Sequence, residues 1–204
     1  MPTIEETADK LVSEGLSAIL EPHGFVLRKK RGFKRKIEKC EQELNVQLRQ
    51  IRGQDAGYVQ VCPGFRYEAL EVLVADLSGE KLRKGWPSAA ANIGNLKPQR
   101  EFLEWPLTNT TDIFALSNLI CSCIREYAFP FWDEFSTING LVKGYESEDS
   151  RLTLAGNSYR WRMSAAYCLQ GNHGAAVNVL ERWEKGRPSQ AIIEQAIRKI
   201  SNLT

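Results

Sequence analysis

The sequence is short of the residues that carry nucleophilic and metal chemistry. It holds two histidines in 204 residues, so the usual zinc sites would need carboxylates to complete them. Its five cysteines are an odd number at irregular spacing, in a chain long enough to bury a core without disulfide staples. A reduced, cytoplasmic setting is expected. No Gly-x-Gly-x-x-Gly turn, phosphate loop or Gly-x-Ser-x-Gly elbow occurs. The most apolar stretch, 113–128, carries Asn118, Arg125 and Glu126 and is too short and too polar to span a bilayer. Acidic residues come early, at Glu5 and Glu6, with no apolar run before a small-residue site, so no secretion signal is expected. Neither sign of charge dominates: 27 basic and 25 acidic residues leave +2, and no global field draws the chain to nucleic acid or lipid.

What is present centres on residues 104–135. Ile113, Leu116, Ile120, Cys123, Ile124 and Tyr127 recur at intervals of three and four, which predicts a helix over 113–128. Phe114, Leu119 and Cys121 widen the stripe, so burial on more than one side is expected. Asn109, Thr110 or Thr111 is placed to cap it, with Asp112 near the positive end of its dipole. Pro130 is expected to stop it at Phe129, leaving Phe129, Phe131, Trp132 and Phe135 as the rings around which the domain folds.

Before that helix, Thr3 and Glu6 fit a capping box. Ala8, Leu11, Val12, Leu16, Ile19 and Leu20 then make a helical stripe closed by Pro22 and Gly24. Strands are predicted at 25–29, 32–37 and 43–51, the last alternating through Leu44, Val46 and Leu48. A turn at 53–57 leads to a partner strand at 58–62, which Pro63 is expected to end. Residues 66–77 fit both a helix and a strand; the helical pattern runs further, to Leu77, and is preferred. Glycines and prolines interrupt any period over 81–98, with 89–93 extended, and 101–105 reads as a final strand. After 137–145 the polar run 146–150 resembles a linker. Helices follow at 159–169, 174–183 and from Pro188 to about Ile200.

The predicted fold class is α+β: an antiparallel meander sheet packed on helices, then a C-terminal helical hairpin plus a third helix. The domain expectation is an α+β domain over 1–145 and a helical extension over 146–204 docked on it. Ala165, Ala166 and Tyr167 with Gly171, Ala175, Ala176, Leu180 and Pro188 resemble one tetratricopeptide-type repeat, too few to build a solenoid.

One segment stands out by charge. Arg28, Lys29, Lys30, Arg31, Lys34, Arg35 and Lys36 put seven cations within nine residues around Phe33, while the rest of the chain carries more acid than base. Phosphates could meet that rim with Phe33 stacked on a base. Alternation instead turns Phe25, Leu27 and Phe33 inward, and Glu38, Glu41 and Glu43 lie close enough to neutralise part of the patch. An acidic protein would use the same cations.

Other candidates read as structural. Cys121 and Cys123 point to different sides of a helix. Cys168 lies on an apolar helical face near His173, where a small core residue is the simpler reading than a nucleophile. His23 sits at a helix end between Pro22 and Gly24. Asp133 and Glu134 are adjacent and point apart, Glu146, Glu148 and Asp149 lack calcium-loop spacing, and Asn92-Ile-Gly-Asn95 lacks the glycines of a phosphate cradle. No catalytic residue, cofactor or metal ligand is predicted.

Gly24-Phe25, the basic segment with Gly32-Phe33, Leu44-Asn-Val-Gln-Leu48, Asn92-Ile-Gly94, Glu104-Trp-Pro106 and Phe129-Pro-Phe131 together resemble a bacterial domain family of uncharacterised function, over roughly residues 5–145. Related domains are associated with toxin-immunity and phage-conflict loci. The resemblance implies a non-catalytic, immunity-like module that binds another protein, a toxin being the natural partner; the short, polar central helix and balanced charge separately predict no membrane association. A nucleic-acid binder using segment 28–36 is the alternative.

Overall fold

A computed structural model describes residues 2–153, 159–183 and 188–203. The chain opens with α1 (Ile4–Lys10), where Thr3 Oγ1 accepts from the Glu6 amide at 3.2 Å and the Glu6 carboxylate accepts from the Thr3 amide at 2.8 Å. The reciprocal bonds satisfy two donors that a helix start leaves open. A π-helical turn, Leu11–Leu16, leads into α2 (Ser17–Leu20). Gly15 lies in that turn, and a Cβ there would come within 2.7 Å of Ser117 Cβ, so its lack of a side chain permits close approach to the central helix.

The strands follow: β1 (Val26–Lys29), β2 (Gly32–Ile37), β3 (Cys40–Gln50) and β4 (Ala56–Tyr67). Then come α3 (Glu68–Ser78), β5 (Ala89–Ala90), a 3-10 turn at Ile93–Leu96 and β6 (Trp105–Thr108). Helices complete the chain: α4 (Ile113–Cys123), a π-helical turn at Ile124–Ala128, α5 (Phe129–Phe135), α6 (Ile138–Glu146), α7 (Ser150–Thr153), α8 (Tyr159–Leu169), α9 (His173–Glu181) and α10 (Gln190–Ser201). The sheet runs β1-β2-β3-β4-β5, with β6 also paired to β4. The fold is α+β with an antiparallel meander, as predicted. No helix among the described residues is long and apolar enough to cross a membrane.

Several local expectations need correction. Pro130 does not stop the central helix: Phe129 holds helical angles (φ −61, ψ −50) and helical structure continues to Phe135. The π turn supplies the reason. It ends one helical register just before Pro130, so the proline falls in the first turn of a new segment, where a missing amide donor costs little. Pro63 does not end β4 either. Its carbonyl accepts from the Ala91 amide at 3.1 Å, and the strand runs to Tyr67 before α3 takes over at Glu68. The helical choice for 66–77 therefore holds apart from its first two residues. The last strand starts at Trp105, where the segment 101–105 was expected to end, and pairs Val59↔Trp105 to Ala56↔Thr108. Phe114 and Leu119, expected to widen the buried stripe of α4, are 60% and 61% exposed.

Two compact units are present: Met1–Phe65 with Ala90–Asp133, and Arg66–Ala89 with Glu134–Thr204. In the first, Leu116, Ile120, Ile124 and Ala128 are buried along one helical stripe. Phe131 and Trp132 extend that core, Phe131 lying 5.4 Å from the Phe65 ring and Trp132 4.9 Å from Phe25. Trp132 Nε1 donates to Gly64 O at 2.8 Å, pairing its one polar atom inside the apolar layer.

In the second unit, α3 is tied to α8 by the Arg162–Glu71 pair at 2.9 Å and 3.1 Å. Ser164 Oγ donates to Ala176 O at 3.0 Å where α8 meets α9 through small buried residues. The run 146–150 is bonded within this unit: Glu146 accepts from the Tyr167 hydroxyl at 2.6 Å and Asp149 pairs with Arg151. Burial and that hydrogen bond push the Tyr167 phenol up to about 12.

Candidate functional site

The sheet register disperses the seven cations predicted to bind a partner. On β2, Gly32, Lys34 and Lys36 alternate with Phe33, Arg35 and Ile37, and Phe33 is fully buried. Arg35 therefore shares the inward direction of Phe33. Its guanidinium carbon lies 4.6 Å from the Phe25 ring centroid, 5.5 Å from Phe129 and 5.8 Å from Trp132. Nε donates to Gln42 Oε1 at 2.6 Å and Nη1 to His23 O at 2.8 Å. Burial pulls Arg35 below its ordinary pKa, opposed by the charge of Asp133. Arg35 is thus a cation clamped among three aromatic faces.

Its neighbours are also engaged. Arg31 Nε donates to Asp9 Oδ1 at 2.7 Å, and Lys30 Nζ sits 2.7 Å from Asp9 Oδ2. Lys34 Nζ lies 2.5 Å from Glu41 and 3.7 Å from Glu43. Arg28, Lys29 and Lys36 remain as exposed cations on the first two strands. The structure does not gather the seven into one phosphate-binding rim. Four are spent on internal partners, and a base cannot stack on Phe33 in the core.

A different surface emerges on α4. Asp112 caps it, its Oδ1 accepting from the Phe114 and Ala115 amides at 3.0 Å each. With Leu116, Ile120 and Ile124 turned inward, Phe114, Ala115, Asn118, Leu119 and Ser122 form the outward face, all exposed. No charged residue occurs between Asp112 and Arg125. The signal was available in the sequence: Phe114 lies one residue past Ile113, about 100° round the helix, outside the three-four stripe.

The remaining candidates are held in structural roles. Burial pushes the Cys168 thiol up to about 11 and Cys121 to about 11, the latter slightly offset by Arg125, the opposite of an activated nucleophile. His23 lies 4.6 Å from the Phe129 ring. Glu134 pairs with Arg151 at 2.6 Å. Asn92 clasps its own loop: Oδ1 accepts from the Gly94 and Leu103 amides at 2.9 Å each, and Nδ2 donates to Leu103 O at 2.8 Å. A Cβ on Gly94 would lie 2.0 Å from Glu101 O, which accounts for that glycine without a phosphate. Among the described residues, no three His, Cys, Asp or Glu side chains come together in a way that could hold a metal ion.

No family model, no curated protein and no solved structure matches the chain.

Proposed function

We propose that this chain is a non-catalytic protein-binding module, immunity-like in action, which engages a partner protein such as a toxin through the outward face of α4. The proposal includes a bacterial cytoplasmic setting, in keeping with five cysteines that are all free. The observation that carries it is the exposure of Phe114 and Leu119, 60% and 61%, on a helix whose opposite stripe is already filled. Two large apolar side chains, one at each edge of an uncharged face, offer the kind of apolar anchors that protein interfaces are built around. Nothing about that face attracts phosphate, and the likeness to immunity-associated domains points the same way.

The test begins with photo-crosslinking from position 114 in native extract, followed by purification of the captured protein and titration against the intact chain. A one-to-one complex is expected, weakened at least about tenfold by Phe114→Asp with Leu119→Asp, while the variant's melting curve stays near that of the parent. Equal affinity for the double variant would remove the α4 face as the contact. Self-crosslinking to a second copy alone would replace the reading with a homo-oligomer.

A further inference from the structure

The second unit presents a tryptophan in an unusual way. Between α3 and β5 the chain reads Lys81-Leu-Arg-Lys-Gly-Trp-Pro87, and Trp86 is 61% exposed. An indole carries a large apolar area, and leaving it in water forfeits its burial energy. Yet the loop that carries it is stapled. The Trp86 amide donates to Arg83 O at 3.3 Å, closing a four-residue turn whose third residue, Gly85, has φ +73, the conformation a type II turn requires there. Arg66, only 6% exposed, reaches under the turn. Its Nη1 donates to Arg83 O at 3.3 Å and also to Trp86 O, while Nε donates to Glu68 Oε2 at 2.7 Å. Ser88 Oγ then accepts from the Tyr67 amide at 3.1 Å, fixing the far side of the loop.

The staple is costly. Arg66 Nη2 is buried with no acceptor among the described residues, and an unmatched buried donor destabilises a fold. A guanidinium is thereby committed to holding one turn whose most prominent feature faces water. Above the turn the Arg83 guanidinium carbon lies 5.3 Å from the Trp86 ring centroid, and Lys81 and Lys84 are exposed alongside. The result is a pre-ordered aromatic anchor ringed by cations, which spares a partner the cost of ordering the loop.

We infer that the loop 81–87 is a second recognition surface, which takes an acidic protein segment: an apolar side chain of the partner packs on Trp86 while its carboxylates meet Arg83, Lys84 and Lys81. Tryptophan and arginine are the residue types that concentrate binding energy at protein interfaces, and the cations would steer an acidic partner. Single-stranded nucleic acid fits less well. The loop offers one ring where a base-stacking track uses several, and Glu80, 3.7 Å from Arg83, with Glu68 below, places carboxylates where phosphates would run. This surface lies wholly within the second unit, whereas the α4 face lies wholly within the first.

The test uses the intact chain and a fluorescein-labelled peptide of alternating glutamate and leucine, read by anisotropy, beside a labelled oligothymidine of similar length. Saturable peptide binding is expected, weakening as salt is raised. Trp86→Ala should weaken it about tenfold or more, Trp86→Phe much less, and Arg83→Glu with Lys84→Glu should abolish it. Arg28→Glu with Lys29→Glu, and Phe114→Asp with Leu119→Asp, should leave it unchanged, so this inference and the α4 reading fail separately. Trp86 is exposed, so its variants are expected to fold, with circular dichroism as the check. The inference is overturned if the intact chain fails to bind the peptide, if oligothymidine binds more tightly, if Trp86→Ala binds as well as the parent, or if the Arg28/Lys29 variant loses as much.

Discussion

Two basic segments of this chain use the same residue types in opposite directions. The hairpin of β1 and β2 is the more conspicuous in sequence, yet its structure spends Lys30, Arg31, Lys34 and Arg35 on Asp9, Glu41, Gln42 and a cluster of rings. The loop 81–87 has fewer cations and no periodicity, yet it holds Trp86 and Arg83 outward on a turn stapled by Arg66. Charge density along a sequence therefore says little about what a segment offers a partner. What matters is whether each cation already has a partner in the fold, and strand alternation decides that before composition does.

The sharpest way to break this contrast is to remove the tryptophan packed under the hairpin's Arg35 and the one carried by the loop. Trp132 is fully buried beneath Arg35, against Phe25 and with its indole nitrogen bonded to Gly64 O. Trp132→Ala should lower unfolding free energy by about 3–5 kcal/mol, while Trp86→Ala should change it by less than about 0.5 kcal/mol; urea melts of the two variants compare them directly. The arginines come next. Arg35→Ala loses two hydrogen bonds and contacts with three rings and should cost about 1–3 kcal/mol. Arg83→Ala should be near neutral. Equal losses within either pair would mean that the hairpin is no more structural than the loop.

A smaller effect separates them by pH. Burial opposes ionisation of Asp9, but hydrogen bonds from Lys30 and Arg31 outweigh it and hold its carboxyl below the usual aspartate range. A depressed folded-state pKa contributes stability above the unfolded value and loses it as pH falls through the folded one. Asp9→Asn should therefore cost less than about 1 kcal/mol at neutral pH, because the pair is partly solvated, and nothing at low pH. Melts at the two pH values check this.

How much of this was legible depends on the kind of signal. The meander, α1 with its capping box and the three C-terminal helices follow from local periodicity and cap chemistry, which the chain carries residue by residue. The behaviour at Pro130 was not legible, because a π turn at Ile124–Ala128 resets the register and leaves no compositional mark. The outward face of α4 was legible in the angle between Ile113 and Phe114, but a broad count of apolar residues hid it. Arg35 was legible from its parity with Phe33. The Trp86 loop was not, since its geometry depends on Arg66, which closes the turn from a distant strand end.

The smallest expected difference concerns two carboxylates, one in each region. Glu43 sits on β3 beside the hairpin, 5% exposed, and burial raises its pKa, with Lys34 at 3.7 Å offsetting part of the shift. Glu68 lies at the base of the loop, largely exposed, and the hydrogen bond from Arg66 lowers its pKa. The signs are opposite. A raised folded-state value means that Glu43 contributes stability below the ordinary glutamate range and loses it as pH rises through the folded value, whereas Glu68 contributes above that range and loses it on acidification. Carbon-detected titration of the side-chain carboxyls should place Glu43 above and Glu68 below an unperturbed glutamate. Glu43→Gln should remove the fall in stability that accompanies rising pH through the Glu43 midpoint. If both groups titrate together, Lys34 neutralises Glu43 as completely as Arg66 neutralises Glu68, and the hairpin interior is better solvated than its burial implies.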